Sequence, residues 1–202
     1  MKCLRSIRPT LLSASLLLLA CVTPMYDRAE IQRGFSAGLG PSGGAGYTVV
    51  GFYDWGLIPG AYCDVAGTGF VRYGFGDAFE LGLQATVEHL SVPIHLDTTN
   101  ASYDDGLQAE LAGKFRTSEG SALKLGLTYP GVLSGTYLHD FGPQWTGSIG
   151  LSPAGVAAGV VWHHRISDRF QGHASLRAQV PLPAFQLGYA VEWLSHGSPA
   201  PR

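Results

Sequence analysis

The sequence predicts an all-β chain, an antiparallel up-and-down transmembrane barrel of 10–12 strands, with 12 as the preferred count. Three observations point there. Side chains alternate with period two over most of the chain: Phe79, Leu81, Leu83, Ala85 and Val87 are apolar, and the intervening Glu80, Gly82, Gln84, Thr86 and Glu88 are polar or glycine. The alternating runs are mostly about nine to eleven residues long, which is what a tilted strand needs to cross a hydrocarbon layer. Only 14% of the residues are charged, and outside the first 21 residues no apolar run is long enough for a spanning helix. Strands with one oily and one charged face need an apolar medium on one side and a polar interior on the other.

The chain opens with a leader. Lys2, Arg5 and Arg8 form a basic region, Leu11 to Leu19 an apolar one, and small residues follow. Residues 1–20 are therefore expected to be a signal peptide, residues 21–30 a polar tether, residues 31–195 the barrel and residues 196–202 a loose tail. Phe35, Ala37 and Leu39 alternate as a first strand, and the run GPSGG at 40–44 reads as a loop. Tyr47 to Tyr53 and Trp55 to Cys63 are weaker segments; Pro59-Gly60 suggests a break in the second. If both are strands the count is 12, and if they form one irregular region it is 10.

The hairpin Thr68–His89 organises the rest. Gly76-Asp77 sits where a tight turn requires positive φ, which would set Arg72 opposite Glu80 and Val71 opposite Leu81. Residues 91–104 form the longest polar connection. Further runs follow at 107–116, 123–129, 133–137, 145–151, 156–165, 170–180 and 185–193, separated by turns such as Ser118-Glu119-Gly120, Pro130-Gly131 and Ser167-Asp168-Arg169. Phe75, Phe79, Phe115, Phe141, Trp145, Trp162, Phe170 and Trp193 all fall near one end of these strands, as an interfacial aromatic girdle would.

Charge excludes one class of partner. Without the leader's three basic residues the chain has ten basic and fifteen acidic side chains, about −5, and no basic cluster, so nucleic acid is not expected. The expected partners are a lipid bilayer and small polar solutes. Cys63 is the one cysteine outside the leader region, which leaves no disulfide framework or cysteine metal site. No cofactor is indicated.

Two stretches carry a resemblance. Leu18-Leu19-Ala20-Cys21 resembles the lipobox of bacterial lipoproteins. That resemblance implies cleavage before Cys21, acylation of Cys21 and, with Val at position 22, sorting to the outer membrane of a Gram-negative-type bacterium. Arg72-Tyr73-Gly74-Phe75-Gly76-Asp77-Ala78-Phe79-Glu80-Leu81-Gly82 resembles the inner hairpin of small bacterial outer-membrane β-barrels, and Ile166-Ser167-Asp168-Arg169-Phe170 echoes it. Two features depart from that pattern: porins are not usually acylated, and the chain ends in SPAPR rather than an aromatic residue. An even strand count would return both chain ends to the same side, the periplasm if Cys21 lies in the inner leaflet. The turns at Gly76, Gly120, Gly142 and Asp168 would then be periplasmic.

The inward face is expected to carry Arg72, Glu80, Glu88, Glu110, Lys114, Arg116, Lys124, His163, Arg165, His173, Arg177 and Glu192. They either line a narrow aqueous path or pair across the lumen and fill it. Mixed signs imply no strong ion preference. The function expected is therefore a narrow channel or a structural scaffold, not an enzyme. One alternative is a lipid-modifying hydrolase, because His173 and Ser175, like His89 and Ser91, have the His-x-Ser spacing of outer-membrane lipid A deacylases; neither serine is followed by the Asn of that motif. Another is a soluble lipocalin-like lipoprotein, with the same apolar stripes turned inward.

Overall fold

The computed structural model describes residues 24–53, 56–92, 102–129, 131–152, 155–181 and 183–195. Cys21 and the leader lie outside these residues. Ten strands run in chain order: β1 Gly34–Tyr53, β2 Gly56–Phe75, β3 Phe79–Val92, β4 Ser102–Ser118, β5 Ser121–Thr128, β6 Val132–Gly142, β7 Trp145–Ser152, β8 Gly155–Arg165, β9 Phe170–Pro181 and β10 Ala184–Leu194. Each pairs antiparallel with its neighbours, and β1 pairs with β10 to close the barrel.

The count of 12 is corrected to ten, because four short segments merge into two long strands. GPSGG is not a loop: Gly40 to Gly44 pair with Thr68 to Asp64 inside β1. Glycine there permits close backbone approach. A Cβ on Gly40 would lie 1.9 Å from the Tyr189 carbonyl oxygen. The β1–β10 ladder runs to Leu39 and resumes at Ser42, so the donor that Pro41 lacks falls at an interruption in the pairing. Pro59 likewise stays within β2, where a register shift between Val49 and Gly51 of the partner strand absorbs it.

The organising hairpin also has a different register. Gly76 has φ +79°, as a turn glycine should, but the turn takes three residues, 76–78, and Phe75 pairs with Phe79. Arg72 therefore faces Gly82, and Glu80 faces Gly74. Because a shift by two positions preserves the pleat, both charges keep their inward face.

Orientation decides between barrel and sandwich. Leu81, Leu125 and Leu187 are 42%, 50% and 56% exposed, whereas Glu80 and Gln186 are 5% and 2% exposed. The lipocalin-like alternative, with aliphatics enclosed and charges in solvent, is overturned. The apolar exterior is continuous around the wall, from Leu39 and Val65 to Ile149, Leu176 and Tyr189. At the end bearing the short turns, aromatic rings touch across strands: Phe75 on Phe79 at 5.7 Å, Phe79 on Phe115 at 5.0 Å and Trp145 on Trp162 at 6.5 Å. Phe35 and Tyr73 join the same band through Trp193 and Phe75.

Candidate functional site: an occupied, charged lumen

Residues 24–33 enter the lumen as a strap, although 24–30 are expected as part of a tether and 31–33 as the start of the barrel. This strap begins at the short-turn end, where Arg33 pairs with Asp77 at 2.6 Å, and climbs inward. Met25, Tyr26, Asp27, Ala29 and Ile31 are all buried. Asp140 of β6 holds the strap backbone, accepting from the amides of Ala29 at 3.1 Å and Glu30 at 3.0 Å. Lys114 of β4 donates to the carbonyls of Arg28 and Glu30, and Gln84 of β3 donates to the carbonyl of Pro24 at 3.1 Å. Wall side chains thus satisfy a backbone that has no strand partner, as buried peptide groups require.

The strap has an apolar side. Met25 and Ala29 pack with Ala122, Leu138 and Val161, three inward-facing residues that break the polar inner pattern of β5, β6 and β8. Tyr26 stacks on Phe70 of β2 at 5.9 Å and donates to the Pro41 carbonyl. Burial raises the Tyr26 phenol to about 12. Asp27 carries the charge: its carboxylate lies 3.3 Å from Arg72 Nε and 3.0 Å from Lys124 Nζ. Burial opposes ionisation of Asp27, but Lys124, Arg72 and Lys114 more than offset it and hold the carboxyl well below its usual range.

The wall completes the network. Arg72 also pairs with Glu192 at 3.1 Å, Lys124 with Glu110 at 2.8 Å, and Lys114 with Glu80 at 2.9 Å. Arg72 lies 4.1 Å over the Phe70 ring. Beside it runs a hydrogen-bonded chain in which Thr146 bridges Asp140 and His163, His163 Nδ1 meets His173 Nδ1 at 2.7 Å, and His173 Nε2 meets Glu192 at 2.8 Å. Further along the lumen, Gln108 donates to Glu88, Thr68 meets Thr86, and Gln186 donates to Asp64 and Ser42.

Ten of the twelve residues assigned to the inner face lie inside: Arg72, Glu80, Glu88, Glu110, Lys114, Lys124, His163, His173, Arg177 and Glu192. Arg116 and Arg165 are corrected. Both are exposed at the short-turn rim, where Arg116 bonds the Ser118 carbonyl and Arg165 pairs with Asp168. Their strands end there, so alternation no longer encloses them. They border a vestibule of about 580 Å³ whose inner wall includes Arg28, Asp140 and His163.

The His-x-Ser pairs do not form a nucleophile and base. Both ring nitrogens of His173 are engaged, by His163 and Glu192, and Ser175 bonds Tyr26. His89 is exposed on the outer face. His163 and His164 face opposite ways, His164 stacking outside on Trp162. Sequence patterning missed the strap, Phe70 and Asp140. The one legible signal was Ala122, Leu138 and Val161, apolar where the alternation calls for polar.

No protein-family model matches this chain, and no curated protein matches it in sequence. Among solved structures it is similar to an outer membrane channel from Pseudomonas putida F1, with 12% identity over 85% of this chain and 99% of that one, at a TM-score of 0.47. It is also similar to the translocator domain of the autotransporter NalP from Neisseria meningitidis, with 9% identity over 94% and 96% of the two chains and a TM-score of 0.47. The phycobiliprotein lyase CPES from Guillardia theta matches at 8% identity over 83% and 90%, with a TM-score of 0.38. Likeness at this level carries no argument about what the chain does. The closed ten-stranded antiparallel barrel with its apolar exterior follows from the strand pairing and burial of this chain itself.

Proposed function

We propose that the protein is an outer-membrane β-barrel of a Gram-negative-type bacterium, acylated at Cys21, whose narrow lumen is a channel that its own amino-terminal strap closes only while Cys21 is unacylated. The observation that supports the channel over a passive scaffold is what fills the lumen. The occupant is a separate segment outside the strands, seated on wall charges, rather than bulky side chains of the wall itself. A covering of that kind can leave without unfolding the barrel. The short-turn end, where the strap enters, is the periplasmic side in this reading.

Acylation and plugging compete by geometry. Gln84, which holds Pro24, is five residues along β3 from the turn, so at ~3.3 Å per residue and a tilt near 40° Pro24 sits roughly 13 Å inside the rim. Two residues separate Pro24 from Cys21, so the three steps between them span about 10 Å at full extension. That is less than the way out of the lumen and around the wall to the bilayer. An acyl chain on Cys21 therefore draws at least the inner part of the strap out, and the anchored protein is the open form.

Conductance in planar bilayers tests this, using acylated protein beside the Cys21→Ala chain, with the mass of the amino-terminal peptide reporting acylation. The acylated form is expected to give discrete steps and Cys21→Ala to be mostly silent. An acylated protein that stays silent removes the channel and leaves a scaffold. An amino terminus without acyl groups removes the anchor alone.

A further inference from the structure

The strap residue Asp27 sits where a ligand would. Its carboxylate bridges Arg72 and Lys124, two cations from different strands, and it is supplied by a segment that belongs to no strand. Arg72 has a guanidinium nitrogen to spare: Nη2 is buried and has no hydrogen-bond partner among the described residues, while Nε reaches Asp27 only at 3.3 Å. A carboxylate free of the strap could take Nε and Nη2 together, the paired geometry guanidinium favours. Immediately beside it, Tyr26 covers the face of Phe70, which is only 4% exposed. Phe70, Arg72, Lys124 and Asp27 line one small cavity. The strap thus presents an aromatic ring and a carboxylate to adjoining parts of the wall.

We propose that Arg72, Lys124 and the face of Phe70 form a carboxylate-binding site in the lumen, that it takes small aryl carboxylates best, and that Tyr26 and Asp27 are its built-in occupant. Every charged neighbour enters the balance. Glu192, Glu110 and Glu80 each pair with one of Arg72, Lys124 and Lys114, so Asp27 is a fourth carboxylate on those three cations, and Arg177, buried within electrostatic reach of Glu110 and Asp27, adds positive charge. The lowered pKa of Asp27 agrees with that geometry: Lys124, Arg72 and Lys114 favour a negative charge there by more than burial opposes it. A solute carboxylate arriving after the strap has left meets the same field. The solute class rests on the channel reading; the site rests on the lumen geometry alone.

Chemical rescue tests the site without any measurement of conduction. The chain carrying Cys21→Ala and Asp27→Ala, refolded in detergent micelles, lacks the carboxylate but keeps the cations. Its unfolding temperature is measured with acetate, benzoate or chloride at matched ionic strength. Acetate should stabilise it at concentrations roughly tenfold below chloride, as expected for a charge-assisted pair, and with Tyr26→Ala added, which uncovers Phe70, benzoate at lower concentrations still. Neither should stabilise the chain that retains Asp27, and Arg72→Gln added to the variant should abolish the effect. If Asp27→Ala does not assemble in chloride, recovery of the heat-modifiable barrel with acetate or benzoate becomes the readout. Carboxylates no better than chloride in either form of the experiment would overturn the proposal, and benzoate no better than acetate would remove its aryl preference.

Discussion

Replacing Lys124 by Met makes the sharpest demand on this account of the lumen. The Lys124 ammonium lies 3.0 Å from Asp27 and 2.8 Å from Glu110, and its side chain is 14% exposed. Methionine keeps the volume and removes the charge, leaving two enclosed carboxylates with one cation fewer. Breaking a buried pair by deleting one partner costs about 3–5 kcal/mol, because the other charge stays desolvated. The partial exposure of Lys124 places the expected loss near the lower end, about 3 kcal/mol. The assay is reversible urea unfolding of the Cys21→Ala chain from lipid vesicles, followed by tryptophan fluorescence. The pH dependence supplies the sign. In the parent chain the Asp27 carboxyl is held below its unfolded value, so its stabilisation is complete above that unfolded value and is lost as pH falls through the folded one. In Lys124→Met the chief lowering cation is gone, and burial, which favours the neutral acid, gains weight. The deficit of the variant should therefore shrink as the medium is acidified. Adding Asp27→Asn to Lys124→Met should recover a part of the loss, with a coupling of about 1–3 kcal/mol. A deficit below about 1 kcal/mol at neutral pH, or one that grows on acidification, would refute the network as drawn.

Other perturbations test other parts of the structure. Gly40→Ala places a Cβ 1.9 Å from the Tyr189 carbonyl oxygen and 2.5 Å from the Ala190 Cα, so the seam between β1 and β10 should fail to close, seen as loss of the heat-modifiable band in gel electrophoresis; Gly67→Ala, with open space around it, should be neutral in the same assay. Phe70→Ala removes the ring beneath Tyr26 and Arg72 and should cost about 3–5 kcal/mol in urea, with faster proteolysis within residues 24–33. Trp145 and Trp162 face outward at 44% and 36% exposure, so lipids brominated along the acyl chain should quench tryptophan emission strongly; unchanged emission would remove the bilayer from around the wall.

The wall was largely legible in the sequence because its signal is local. In β3, β9 and β10 alternation alone told which side chains face out, and Leu81, Leu176 and Leu187 lie where that pattern puts them. The aromatic ends were legible for the same reason. The readings failed where the deciding interaction was distant. The glycines at 40–46 look like a loop until the backbone of β10 and Asp64 in the middle of β2 crowd against them. The turn at Gly76 was placed correctly, but its third residue, Ala78, gave no signal, and the pairing moved by two positions. Arg116 and Arg165 continue the inward pattern of their strands but pass the rim, a boundary that only the closed barrel defines.

The sequence by itself determined the alternation, hence a sheet with an apolar and a charged face, because side-chain direction along a strand follows from backbone pleat one residue at a time. Only the tertiary structure decided that Met25, Tyr26 and Asp27 fill the centre. A short irregular segment has no periodicity to announce its partners, and its burial depends on Phe70, Arg72, Lys124 and Leu138, which lie far along the chain and meet only when the tenth strand closes on the first.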